Sequence, residues 1–240
     1  MNLSESPRQV RVPRLKMMVC LRIFISIAPL FLSNICLAMS VDEILKGVSS
    51  FISSQEKAFD SYTARVRTEM AIGDEEEKET IFARGSVSFK RPDEFVQKID
   101  EVKGTIKKED AQAMIESPMR PFEIYEVFKE GHRFEYAGEE GDFYLLKVFP
   151  KKGYKDGVKG KIGINREDFA ICLVDLETPS INLGVYSVKV KMKERFFKIE
   201  GFWVPEEIVL ESKMRMLIKK IESKTIWSFS DYQFGSPLPK

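Results

Sequence analysis

The sequence has very few of the residues from which metal sites and common hydrolytic centres are built. Its 240 residues include one histidine, His132, and three cysteines, Cys20, Cys36 and Cys172. Metal sites built on histidine and cysteine clusters are therefore excluded by number. The sequence also has no G-x-S-x-G elbow, no phosphate-binding glycine loop and no nucleotide-binding fingerprint. These absences favour binding over catalysis, and we predict no cofactor, no metal and no enzymatic activity.

Each of the isolated reactive residues has a simpler structural interpretation. His132 follows a glycine at a turn that enters a strand, and we expect an exposed side chain there rather than a catalytic base. Cys172 lies in an apolar run, where a free cysteine behaves as a small buried hydrophobe. The acidic run 73–79 is predicted to be a solvated hairpin loop, because no histidine accompanies its carboxylates. Pairs of carboxylates elsewhere stay open as a catalytic possibility.

An excess of charge of one sign is also missing. The chain has 38 basic and 37 acidic residues, a formal net charge of +1, and it contains no basic block. Nucleic acid is therefore not a predicted partner. The hydrophobic fraction of 43% is enough for a packed core.

Long apolar runs are absent as well, and the longest, from Ile23 to Leu32, is too short for a comfortable transmembrane helix. It follows a segment with five basic residues and precedes Cys36-Leu37-Ala38, an order typical of a secretory signal peptide. We predict that residues 1–38 are such a signal, cleaved after Ala38, with an uncleaved N-terminal anchor as the alternative. Translation could start at Met1, Met17 or Met18.

The clearest structural pattern extends from Ile81 to Ile99. Apolar residues alternate with mostly polar ones up to Lys90, which is the period of a strand with one buried face. Arg91-Pro92-Asp93 interrupts the pattern, because proline has no N–H for the ladder. An extended pattern resumes from Phe95 to Ile99. The stretch therefore predicts two strands joined by a tight turn.

Residues 39–240 are predicted to form one domain, in which a helix precedes many strands. Ser40 and Glu43 have the spacing of a capping box, and apolar residues repeat at helical spacing for about five turns. Short strands separated by turn signals then predict an antiparallel sheet. The alternating lysines 189, 191 and 193 are typical of a solvent-facing or edge strand. Periodicity does not decide the segment 104–129, although residues 107–116 could form a short helix.

Several segments, taken in order, resemble the LolA family, the periplasmic carriers of lipoproteins in Gram-negative bacteria. Gly85–Phe95 resembles the family's G-x-hydrophobic-x-hydrophobic-K-R-P-x-x-F segment, and Gly201–Ile208 is similar to its G-x-W-x-P-x-x-I turn. Phe59–Ala64 is similar to the passage from helix to strand. Tyr144–Lys151 resembles a strand that ends in proline and lysine, and Phe229–Phe234 resembles the closing strand.

This resemblance implies a mainly β fold with helices (α+β), an incomplete, strongly curved antiparallel β-barrel covered by the N-terminal helix and a helical lid. It implies that Arg91 latches the lid, which would involve residues 101–121, where the sequence departs from the family pattern. The implied lipid-binding residues share an apolar character and are Val87, Phe89, Phe95, Ile99 and Trp203.

The implied function is to shield the acyl chains of lipoproteins, or another lipid, during transfer from the inner to the outer membrane. The implied location is the periplasm, and the implied partners are an inner-membrane release complex and an outer-membrane acceptor. The protein would act as a monomer. The alternative is a LolA-like envelope-stress sensor that binds lipid or protein signals and a regulatory partner, and a lipid hydrolase ranks third.

Overall fold

The computed structural model describes residues 39–58, 60–74, 77–90, 94–104, 131–154, 157–182, 184, 186–216 and 219–235. Within these residues one α-helix, α1 (Val41–Ala58), precedes eleven β-strands, and all belong to the unit Ser40–Lys240. The strands are β1 (Ser61–Gly73), β2 (Lys78–Lys90), β3 (Glu94–Lys103), β4 (His132–Glu140), β5 (Phe143–Pro150), β6 (Lys159–Asn165), β7 (Ile171–Glu177), β8 (Ile181–Asn182), β9 (Tyr186–Ile199), β10 (Phe202–Met216) and β11 (Lys219–Phe234).

The predicted capping box begins α1. The backbone N–H of Ser40 donates to Glu43 Oε2 at 2.8 Å, and the Glu43 N–H donates to Ser40 Oγ at 3.3 Å. These two bonds satisfy donors that have no partner within the helix. The apolar stripe of α1 is buried, with Ile44 and Val48 fully inaccessible. The prediction of a five-turn amphipathic helix is confirmed.

The helix packs near one end of the sheet. It lies next to β4, and Gly47 approaches the ring of Phe169 so closely that a Cβ there would be 2.5 Å from it. The Phe169 ring in turn stacks on Tyr144 of β5 at a centroid distance of 6.4 Å. Glycine at position 47 therefore allows the helix to approach the loop between β6 and β7.

The strands form an open antiparallel sheet in the order β3-β2-β1-β11-β10-β9-β7-β6-β5-β4, with β8 paired to β9. Every described pairing is antiparallel, and β11 returns to pair with β1. No pairing between β3 and β4 occurs within the described residues, so the curved sheet is unclosed there. The prediction is confirmed as far as a curved, unclosed antiparallel sheet preceded by a helix. The predicted lid segment beyond Gly104, with its possible helix 107–116, lies outside the described residues.

The hairpin of β2 and β3 follows the predicted alternation. The inward positions of β2 are all buried, and they are Ile81, Ala83, Gly85, Val87 and Phe89. Phe89 pairs directly with Phe95, and Lys90 pairs with Glu94. The turn residues 91–93 lie outside the described residues.

Strand β9 lies in the interior of the sheet, between β7 and β10, so it is not an edge strand. Its alternating lysines nevertheless point to the solvent side, as predicted. Lys189 Nζ lies 2.8 Å from Glu177 Oε2, and Lys191 Nζ lies 3.2 Å from Asp175 Oδ1. These cross-strand ion pairs reduce the repulsion that a row of lysines would otherwise produce.

The expectation of an exposed His132 is wrong, because only 3% of this residue is accessible. Its Nε2 accepts a hydrogen bond from the Val158 N–H at 2.9 Å, and the Tyr154 ring meets it edge-on at 5.4 Å. The loop after β5 therefore covers the histidine. The prediction for Cys172 is confirmed: it is 1% exposed, and burial raises the pKa of its thiol to about 12.

A methyl group at Gly85 should destabilise the sheet. A Cβ there would lie 2.0 Å from the backbone oxygen of Lys98, at the point where the β2–β3 register shifts. We expect Gly85→Ala to lower the free energy of unfolding by about 1–3 kcal/mol, the usual effect of overpacking. Urea unfolding measures this, with Ser86→Ala on the neighbouring outward position as the control. Equal stability of the two variants would contradict the close approach.

Candidate functional site

One residue from each of ten strands lies in a continuous row across the buried face of the sheet, which we call the inner face. Each member of this central row is the direct register partner of the next. The eight members between the two ends are all at most 5% exposed. From β4 to β3 the row contains Tyr136, Leu146, Ile162, Val174, Glu194, Ile208, Trp227, Thr68, Ala83 and Val102.

The β1–β3 and β10–β11 part of the inner face carries a buried apolar cluster, the inner cluster. Its members are Tyr62, Ala64, Val66, Met70, Ile81, Ala83, Val87, Phe89, Ile99, Val204, Ile208, Trp227 and Tyr232. Aromatic rings are central to it. Tyr62 lies 5.4 Å from Phe89 and 5.5 Å from Tyr232, measured between ring centroids. The Tyr232 hydroxyl donates to the Pro205 carbonyl at 2.6 Å, so its polar atom is satisfied inside the core.

A set of half-buried apolar side chains, which we call the rim, packs against the inner cluster. It consists of Phe95, Val102, Phe197, Ile199, Phe202, Leu210, Phe229 and Phe234. Phe202 and Phe234 are in close contact, with 4.7 Å between ring centroids. The rim therefore leaves aromatic and aliphatic surface partly accessible beside a fully buried core.

Four of the five predicted lipid-binding residues come together in this region. Val87, Phe89 and Ile99 belong to the inner cluster, and Phe95 belongs to the rim. Their role in binding stays a prediction. Arg91, the predicted lid latch, lies outside the described residues.

Trp203 is placed elsewhere. It follows Phe202 and precedes Val204, which both face the cluster, so the alternation of a strand turns Trp203 to the opposite side. Its Nε1–H donates to Asp168 Oδ2 at 2.8 Å, and Lys198 Nζ contacts the same oxygen at 2.9 Å. Burial raises the pKa of Asp168, but these hydrogen bonds outweigh it and leave the pKa below its usual value. Trp203 thus connects β10 to the loop between β6 and β7.

Glu194 of β9 is the only charged member of the central row. It is 4% exposed, and its direct partners on the neighbouring strands are Val174 and Ile208. Its Oε1 has no hydrogen-bond partner within the part of the chain that the structure describes. Burial raises the pKa of this carboxyl to about 7. A buried acid without a partner is unusual, because burial normally requires a compensating contact.

Sequence reasoning missed Glu194, although a signal was present. The alternating lysines up to Lys193 place Met192 and Glu194 together on the other face of the strand, and both are buried. The alternation did not reveal that both cross-strand neighbours of Glu194, Val174 and Ile208, are apolar. Trp227 was missed as well, because its burial depends on strand partners far away in sequence.

The outer face differs in chemistry. One groove on it, of about 510 Å³, is lined mainly by charged side chains, including Lys147, Lys161, Asp175 and Glu177. Among the described residues no group of three or more histidine, cysteine or acidic side chains is arranged to hold a metal ion. The buried apolar cluster and the rim, by contrast, belong to the inner face.

The chain is similar to one family of unknown function and to several solved structures. The sequence profile of a family of unknown function, DUF5686, matches residues 117–232. No curated protein sequence matches the chain.

Several solved structures resemble it. A DUF1329 family protein from Desulfovibrio piger has 14% identity and a TM-score of 0.38, over 81% of this chain and 95% of that one. A putative outer membrane lipoprotein-sorting protein domain from Vibrio parahaemolyticus has 11% identity and a TM-score of 0.38, over 82% and 94%. The Pseudomonas aeruginosa MucA/MucB complex has 9% identity and a TM-score of 0.27, over 81% and 100%. A putative lipoprotein-sorting domain is thus among the solved structures that the chain resembles.

The raised pKa of Glu194 should make stability depend on pH. The folded protein retains this proton up to about pH 7, whereas the unfolded chain loses it near pH 4.5, the ordinary pKa of a glutamate carboxyl. The folded state therefore binds more protons between these values, and its stability falls as pH rises through them, by about 3 kcal/mol. No charged group of the described β7 or β10 offsets the burial, since Val174 and Ile208 face the carboxyl.

Urea unfolding at pH 4.5, 5.5, 6.5 and 7.5 tests this prediction. We expect the free energy of unfolding of the unmodified protein to fall as pH rises, and Glu194→Gln to remove most of that fall. If the two proteins have parallel stability profiles, the carboxyl is not held protonated by the fold.

Proposed function

We propose that this protein is a lipid carrier that holds acyl chains against the inner face of its open sheet. The observation that supports this most directly is the rim, eight half-buried apolar side chains beside a fully buried cluster. Apolar surface that remains partly accessible next to a packed core is typical of a ligand-binding face. Acyl chains suit it, because each buried CH₂ contributes about 0.8 kcal/mol without any chemical step.

In its finer form the proposal is a periplasmic carrier that shields lipoprotein acyl chains between the inner and outer membranes. The predicted signal peptide, residues 1–38, would deliver the chain to that compartment. The proposed partners are an inner-membrane release complex and an outer-membrane acceptor, with the carrier as a monomer. No helix in the described residues combines the length and the apolarity needed to cross a membrane.

Bound lipid can be sought directly. We expect the mature protein, purified without detergent and examined by native mass spectrometry, to carry a stoichiometric adduct of lipid mass. Organic extraction should then release a lipid or an acylated peptide, because the rim favours apolar chains. A protein that is empty, and that takes up neither fatty acids nor lipoproteins released from spheroplasts, would overturn the carrier proposal. Specific binding of a protein segment by such an empty protein would favour the sensor.

A matched pair of phenylalanine substitutions tests where the lipid binds. Phe95 belongs to the rim, whereas Phe82 points to the outer face and is 38% exposed. We expect Phe95→Ser to weaken binding of a fluorescent fatty acid by about tenfold, the effect of losing one aromatic contact. Phe82→Ser should bind as the unmodified protein does. Equal effects of the two substitutions would show that the fatty acid does not use the rim, and thermal unfolding of both variants controls for stability.

A further inference from the structure

The carboxyl of Glu194 lies at the middle of the inner face, on the fifth of the ten strands that contribute to the central row. The other buried members of the row are apolar except Thr68. An aliphatic residue would continue the row without the cost of burying an acid. A carboxyl at this position therefore needs an explanation other than packing.

The charged residues on either side of Glu194 in the sequence do not explain its burial. Arg195, the next residue, is exposed, and its Nε contacts Glu206 Oε2 at 2.6 Å. Lys193, the preceding residue, is exposed on the outer face. Among the described residues neither a hydrogen bond to Oε1 nor a nearby opposite charge compensates the burial of Glu194.

Position connects this acid to the lipid-binding face. Ile208, its direct partner on β10, is a member of the inner cluster. Adjacent strands are about 4.8 Å apart, so the carboxyl lies one strand spacing from the edge of that cluster. A ligand group located over Ile208 would thus lie about one strand spacing from Glu194.

We propose that Glu194 accepts a hydrogen bond from a donor group, an amide N–H or a hydroxyl, located beside the acyl chains of the bound lipid. This inference rests on the proposed carrier function and adds the chemical class of its cargo. Above about pH 7 the carboxyl is ionised. A carboxylate accepts strong hydrogen bonds but donates none, so at such pH lipids whose head groups contain only ester and ether oxygens would leave it without a partner. The site would therefore select amphiphiles that carry a donor near the chains.

Two matched lipids separate the alternatives: N-palmitoylethanolamine, which has an amide N–H and a hydroxyl, and 2-methoxyethyl palmitate, which has neither. Each lipid is tested for displacement of a fluorescent fatty acid from the delipidated mature protein at a pH well above 7, where the Glu194 carboxyl is ionised. We expect the unmodified protein to prefer the amide by about tenfold or more, as a hydrogen bond to a charged group predicts.

Glu194→Leu should bind the ester as the unmodified protein does and lose the preference. We expect this variant to fold, because an apolar side chain replaces an acid without a partner, and thermal unfolding checks it. Glu194→Gln, which retains an acceptor oxygen, should keep part of the preference and serves as the test if the leucine variant does not fold.

The outcomes are distinct. Equal affinity of the unmodified protein for both lipids, or a preference that persists in Glu194→Leu, would overturn the role of Glu194 and leave the carrier function standing. Failure of both lipids to bind the unmodified protein would overturn the carrier proposal itself, and this inference with it.

Discussion

The antiparallel register of each strand pair aligns ten strands side by side. Each of these strands contributes one residue to the central row. Side chains alternate along every strand, so a slip of one residue at any pair would turn that strand's buried set toward solvent. The inner cluster, the rim and the position of Glu194 all depend on this register. Register shifts at Arg84/Gly85, Gly163/Ile164 and Pro205/Glu207 occur within it, and such irregularities bend strands locally.

The inner face is covered differently on its two sides. Near β4 and β5 the helix α1 and the ring of Phe169 pack over the sheet, and Ile44 and Val48 of the helix are fully buried. On the strands β3, β9, β10 and β11 the rim side chains are only half-buried. Among the described residues, the helix therefore covers one side of the inner face, and half-buried apolar side chains lie on the other side. That difference is the physical basis of the carrier proposal.

Strand β9 joins the two sides, since it pairs with β7 on one edge and with β10 on the other. Its outer side chains are lysines that form ion pairs with β7, whereas Glu194 faces inward between Val174 and Ile208. Charged groups on the outer face are solvated and contribute little individually. The same type of group on the inner face is strongly destabilising unless something pairs with it. The contrast is the reason why Glu194, rather than an acid of the outer face, is proposed to contact the ligand.

Local patterns in the sequence predicted the local structure. The capping box of Ser40 and Glu43, the alternation from Ile81 to Phe89 and the burial of Cys172 depend on residues close in the chain, and all are found as expected. Four of the five apolar candidates lie together because they share the β2–β3 hairpin, whose two strands are separated by only three residues of sequence.

Contacts between distant segments decided the rest. His132 is buried because Val158, 26 residues later, folds back onto it, and Trp203 turns from the cluster to bind Asp168. The place of β9 inside the sheet depends on which strands pair with it, and its own alternation does not encode that choice. By itself the sequence determined which side chains of a strand point the same way. Only the tertiary structure decided what lies opposite them, because cross-strand neighbours come from parts of the chain whose pairing no local pattern specifies.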